Sequence, residues 1–151
     1  MDAARREKKE HGTLSFPFQI YPALDGSEAD DSDFIPYHWH PELEIITVDC
    51  GCVSLTIADR MYEGARGDVF FAASEELHEI RAAGRENQFR SFVFAADFLQ
   101  FARADETEFA LLEPLAEGRL RFASWLRSGE PGQSEVRTLI SKIFRTLQQQ
   151  A

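Results

Sequence analysis

Between Phe34 and Phe94 the chain is cut by turn signals into short runs of β-forming residues at fairly regular intervals, and no other feature restricts its fold as strongly. The runs are Ile45 to Val48, Val53 to Ile57, Val69 to Phe71, Leu77 to Ile80 and Phe89 to Phe94. Between them stand Asp49-Cys50-Gly51, Ala58-Asp59-Arg60, Glu63-Gly64-Ala65-Arg66-Gly67 and Ala83-Gly84. That cadence predicts an antiparallel sandwich or barrel. Val53, Leu55 and Ile57 alternate with Ser54, Thr56 and Ala58, so one face of that strand turns towards a core. With 151 residues, 44% of them hydrophobic, the chain fills one core and is too short for two large domains.

The flanks read differently. Residues 1–12 are rich in Arg, Lys and Glu with no apolar face, which predicts a charged, solvated tail with His11 outside any site. Leu14 to Leu24 is extended, with Pro17 and Pro22 favouring an edge strand or arm, and the acidic stretch Asp25 to Asp33 reads as a mobile loop. After Ala95 the period changes: Phe98, Leu99, Phe109, Leu111, Leu112 and Leu115 suggest short helices, with Pro114 near a helix start. Val136, Leu139, Ile140, Ile143, Phe144 and Leu147 then recur at helical steps, with Ser134 and Glu135 at the expected N-cap and first turn. The stripe on this helix, 135–147, serves core packing or a partner helix in a homodimer. No Gly or Pro stops the helix before Gln148-Gln149-Gln150-Ala151, so it is expected to continue beyond these residues. The division is therefore a tail at 1–12, a β body with its arm at 13–95, and a helical segment at 96–151.

A net charge of -10 repels a phosphate backbone, so these residues alone are not expected to bind DNA. No apolar run is long enough for a bilayer and the charged N-terminus is no secretory signal, which points to the cytoplasm and away from membranes. Cys50 and Cys52 flank Gly51 too closely for an easy disulfide and read as a reduced, buried or half-buried pair.

His38-Trp39-His40-Pro41-Glu42-Leu43-Glu44 carries the chemistry. Two histidines one residue apart on a strand share a face, and a carboxylate on the next strand can close on the same point. With His78, this set of imidazoles and one carboxylate suits a divalent transition metal, Zn, Ni, Fe, Mn or Co, with open positions for water or a small ligand. A metal-free polar contact with a ligand is the alternative. Each histidine taken alone would read as an ordinary surface or core residue.

The spacing His38, His40, Glu44, Gly51 resembles the first motif of the cupin superfamily, and Gly67-Asp68 with His78 resembles the second, with Ala73 where a proline is usual. The resemblance implies a mainly β fold, a double-stranded β-helix or jelly-roll-like barrel, with His38, His40, Glu44 and His78 as metal ligands. Over nearly the whole chain, Phe16-Pro17-Phe18, the His-Trp-His segment, Gly67 to Phe71, Glu76-Leu77-His78 and Phe92 to Leu99 resemble the N-terminal sensor domain of AraC-type transcription regulators. That implies a cupin barrel followed by C-terminal α-helices, a small-molecule effector as partner, and DNA contact only through a helix-turn-helix module that these residues do not include.

On that reading the effector meets the His/Glu cluster directly or through a metal, with Phe16, Phe18 and Trp39 as candidate apolar walls. Arg66, Arg81 and Arg90 are available to an anionic effector, though each also reads as a solvated surface residue. No catalytic residue is assigned. The competing expectation is a metal-dependent cupin enzyme, a dioxygenase or isomerase, using the same four ligands.

Overall fold

A computed structural model of the chain describes residues 3–23, 32–84 and 86–149. Among them nine strands occur: β1 (Phe18–Tyr21), β2 (Ser32–His38), β3 (Leu43–Cys50), β4 (Cys52–Ile57), β5 (Arg60–Ala65), β6 (Val69–Ala72), β7 (His78–Ala83), β8 (Gln88–Phe94) and β9 (Trp125–Leu126). They form two antiparallel sheets, ordered β1-β8-β3-β6-β9 and β2-β7-β4-β5. The fold is mainly β, an antiparallel barrel as the cadence predicts and of the jelly-roll-like cupin form that the resemblance implies, followed by helices.

Alternation along β3 separates two cores. Ile46 and Val48 point between the sheets and meet Val53, Leu55, Ile57, Phe70 and Ile80. Leu43 and Ile45 point the other way, joining Phe92 and Phe94 of β8 under the C-terminal helix. A one-residue slip would exchange these faces, so register is specified from both sides. Glu44 shares the inward face with Ile46, and this places a carboxylate inside the barrel.

β1 lies at a sheet edge, pairing Phe18 with Phe94 and Tyr21 with Ser91. Of the acidic stretch expected to be a loop, residues 25–31 lie outside the described residues, as does Leu24, while Ser32 and Asp33 open β2. Glu63-Gly64-Ala65 is not a turn but part of β5. Gly64 is buried there because the Phe70 ring rests on its backbone: an added Cβ would stand 2.6 Å from Phe70 Cε2. Cys50 and Cys52 are free and exposed at the β3–β4 turn, contrary to the expected burial.

Beyond the barrel, a 3-10 turn at Ala96–Leu99 and a π-helical stretch at Glu108–Leu112 lead into α1 (Glu113–Ala116), which has Pro114 in its first turn. α2 (Gln133–Gln148) begins after Gly132, whose positive φ of 83° supplies the left-handed entry, so Ser134 falls inside the first turn rather than at the cap. Ile140 and Phe144 of α2 are buried on the five-stranded sheet with Val136 and Ile143 beside them, while Leu139 faces out at 60% exposure. Asp68 ties the returning chain down. Its carboxylate accepts from the Trp125 indole at 3.0 Å and the Ser128 amide at 2.7 Å, and the Gln133 side chain donates to the Gly67 carbonyl. Among the described residues no helix is long and apolar enough to cross a membrane.

The N-terminal segment lies on the barrel rather than in solvent. The Glu7 amide donates to the Trp39 carbonyl at 2.9 Å and the Trp39 amide to the Arg5 carbonyl at 3.1 Å, around a parallel bridge between Arg6 and Trp39. Most of the segment remains exposed, but Glu7 is half-buried and His11 is buried.

Candidate metal centre

Three elements deliver the cluster to one end of the barrel. His38 closes β2 and faces His78 across the β2–β7 ladder, just past an irregularity in register. His40 follows in the connection to β3, and Glu44 projects inward from β3 itself. One ligand atom from each of the four lies within 4.8 Å of those of the others. Glu44 Oε2 is 2.9 Å from His78 Nε2 and 3.2 Å from His40 Nε2. Donors held about 2.1 Å from one ion at near-octahedral angles stand about 3 Å apart, so these separations suit a shared cation.

The far side of each imidazole is fixed by the backbone. Nδ1–H of His38 donates to the Pro36 carbonyl at 2.9 Å, that of His40 to the Glu42 carbonyl at 3.2 Å, and that of His78 to the Glu76 carbonyl at 2.8 Å. A carbonyl only accepts, so each Nδ1 carries a proton and Nε2 is the nitrogen each ring turns towards the cluster. Such backbone partners orient histidines for metal ligation. The residues present therefore fit a divalent metal, held by Nε2 of three histidines and the Glu44 carboxylate. The Ala73 amide donates to Glu76 Oε2 at 2.8 Å, bracing the loop before His78 with an N–H that a proline would lack.

Electrostatics follow from the packing. Burial works to raise the Glu44 carboxyl, but the hydrogen bonds and charges of His40 and His78 outweigh it and hold Glu44 well below the usual carboxylate range. Burial works to lower His78, yet its contact with Glu44 prevails and raises it. His38 is lowered, by burial and then by the neighbouring His78. Burial, with Glu7 and Glu44 nearby, pushes the Tyr21 phenol up to about 12.

A cavity of about 510 Å³ opens beside the cluster. His38, Glu44, Glu7, His11 and Tyr21 form its polar wall, and Ile35, Phe89 and Val93 its apolar wall. Phe16, Phe18 and Trp39 do not line it. Phe16 packs on Phe98, Phe18 stacks on Phe92 and Phe94 on the outer face, and Trp39 lies under the Arg6 guanidinium. Arg66 is exposed, Arg81 pairs with Glu79 and Arg90 with Asp49, and none of the three lines the cavity. Glu7, His11 and Tyr21 were not expected in the site. His11 Nδ1 is 2.7 Å from the Tyr21 hydroxyl and its Nε2 is 3.1 Å from Glu7, whose carboxylate stands 3.8 Å from His38. Nothing in the side-chain pattern of residues 1–12 announces this, because backbone pairing with Trp39 brings the segment in; a histidine amid charged residues was the one available signal.

The model of the AraC-like ligand binding domain family matches residues 21–151, which takes in β2 to β9 and both α-helices. The chain belongs to this family. No curated protein sequence matches this AraC-like domain. Among solved structures it is similar to a conserved protein of unknown function from Streptococcus pyogenes, at 22% identity and a TM-score of 0.41, over 51% of this chain and 63% of that one. It is also similar to a cupin superfamily protein from Desulfitobacterium hafniense, at 15% identity and a TM-score of 0.41, over 51% of this chain and 65% of the other. A third is Bacillus subtilis oxalate decarboxylase, described with Mn(II) centres, at 19% identity and a TM-score of 0.38, over 68% of this chain and 32% of the enzyme. In all three the match spans less than two thirds of the other chain's length.

Proposed function

We propose that this AraC-like domain is the effector-sensing part of a cytoplasmic transcription regulator, that it binds a small molecule in the barrel, and that it reaches DNA only through a separate helix-turn-helix module. The observation that carries the reading is the 510 Å³ cavity, which places the exposed edge of the His/Glu cluster beside an apolar wall within a domain of a ligand-binding family. His38, His40, Glu44 and His78 would hold a divalent metal, which would supply a Lewis-acidic centre at the edge of the cavity. The protein's own groups do the rest: Tyr21, kept as a phenol, presents a hydrogen bond, and Ile35, Phe89 and Val93 take the apolar part. The effector shifts the packing of the N-terminal residues and the C-terminal helices only in so far as it binds one arrangement better than the other. Phe16 and Phe18 belong to this account through the N-terminal arm and Trp39 through its pairing with residues 5–7. A homodimer through α2 would use the outward face at Leu139.

The open cluster equally suits a metal-dependent enzyme, so the test reads both binding and turnover. Metal-loaded protein is titrated calorimetrically with a panel of small hydroxy acids, keto acids and sugars, and each mixture is followed by NMR. Saturable one-to-one binding with the compound recovered unchanged, abolished in His40→Ala, supports sensing. Metal-dependent conversion lost in His40→Ala overturns it in favour of an enzyme.

A further inference from the structure

α2 borders a groove of about 620 Å³ on the outer face of the five-stranded sheet, the face opposite the His/Glu cluster. Arg137, Ser141, Arg145 and Gln148 follow one another at three- and four-residue steps, so one polar row of the helix lines it. Arg90 lies against the same groove, 4.4 Å over the Phe144 ring, and gives two bonds to Asp49 at 2.6 and 3.0 Å. Its charge is matched within the fold. Arg137 and Arg145 differ: among the described residues neither guanidinium has an ion pair or hydrogen bond, and no carboxylate lines the groove. Arg137 is half-buried and rests against the turn before β6, where a Cβ added at Gly67 would stand 3.2 Å from Arg137 Nη1 and 2.9 Å from Ser128 Oγ. A guanidinium and a hydroxyl therefore meet at one spot. Thr47, the ladder partner of Arg90 on the same outward face, keeps a buried hydroxyl without a hydrogen-bond partner. In a chain of net charge -10, this concave surface reverses the prevailing sign and focuses a positive field.

We infer that this groove binds a small organic phosphate, a phosphate monoester with a hydroxyl-bearing body, as a ligand separate from any bound in the barrel. Arg137 and Ser128 take the phosphate, Ser141 and Gln148 meet the hydroxyls, and Arg145 adds its charge at the far end of the row. A guanidinium fork matches two phosphate oxygens, while hydroxyl and amide groups both donate and accept, as a polyol requires. The volume suits a molecule of that size. The overall charge of -10 opposes a nucleic acid, which favours a small anion over a polyanion. Such a ligand would touch α2, the 128 turn and Arg90 of β8 together, and so tie the helix to the barrel. The inference goes beyond effector sensing and does not depend on it.

The test is NMR of the whole chain, stripped of metal on a chelating resin so that no ion in the His/Glu cluster can capture phosphate. The arginine Nε–H signals are followed during titration with glucose 6-phosphate, ribose 5-phosphate, inorganic phosphate, glucose and succinate. The expected result is that at least one ester binds one-to-one, shifts Arg137 and Arg145, and binds about tenfold more tightly than inorganic phosphate, with glucose inert. Arg137→Gln and Arg145→Gln should each weaken that binding by about tenfold, and Glu44→Gln should leave it unchanged. Arg145 is exposed, so Arg145→Gln carries the test if Arg137→Gln does not fold. Esters that leave Arg137 and Arg145 unshifted, or ester binding that survives both substitutions, overturn the inference. Inorganic phosphate binding as tightly as both esters would mark an adventitious ion only, and succinate binding as tightly would remove the preference for phosphate; either result also overturns it.

Discussion

His78 sets how the barrel centre responds to pH. Its pKa is raised from 6.5, so its contribution to stability is complete below that value and fades as pH rises through the folded-state value. Glu44 is depressed from 4.5, so its contribution is complete above 4.5 and fades as pH falls through its folded-state value. The metal-free domain should therefore gain most from this pair between pH 4.5 and 6.5, and Glu44→Gln should lose about 1.5–3 kcal/mol there, read by urea unfolding across pH. A metal must displace the His78 proton, so zinc affinity should climb as pH rises past neutrality, with proton release visible by calorimetry in buffers of different ionisation enthalpy. At this scale His38, His40 and Glu44 were legible because their spacing across the end of β2, the short connection and the start of β3 is nearly a geometric statement. Glu7 and His11 were not, because the contact that places them is a backbone bridge to Trp39, which no side-chain pattern encodes.

α2 belongs to the outer core. Phe144 is buried beneath the Arg90 guanidinium and touches Phe92, on the face of the sheet opposite Glu44. Phe144→Ala should cost about 3–5 kcal/mol in unfolding free energy. The zinc stoichiometry should be unchanged, because the cluster lies on the other side of the sheet. The apolar period that revealed α2 in the sequence is the same period that meets Phe92 and Phe94, so a long amphipathic helix was readable. β5 and β9 were not. β5 is largely exposed and carries Gly64 for contact with Phe70, so it presents turn chemistry without apolar alternation, and β9 is two residues held by pairing with β6. Ser134 misled as an N-cap because Gly132 had already turned the chain by its positive φ.

Over the whole molecule, two packed sheets fix the rims of one barrel, and the residues of the His/Glu cluster come from both sheets and the link between them. The alternation of inward and outward side chains made the barrel readable from the sequence. Where the N-terminal residues would lie, and hence the second wall of the cavity, depended on long-range pairing. The claim at the centre of the account is that His38, His40 and His78 turn Nε2 towards one point shared with Glu44. Histidine ring-nitrogen NMR of the Cys50→Ser/Cys52→Ser protein, before and after one equivalent of zinc, tests it directly. The account predicts that these three rings become neutral Nδ1–H tautomers with zinc-shifted Nε2 resonances, while Glu44→Gln weakens the shift. Unchanged ring nitrogens with zinc bound elsewhere, or coordination through Nδ1, would contradict it.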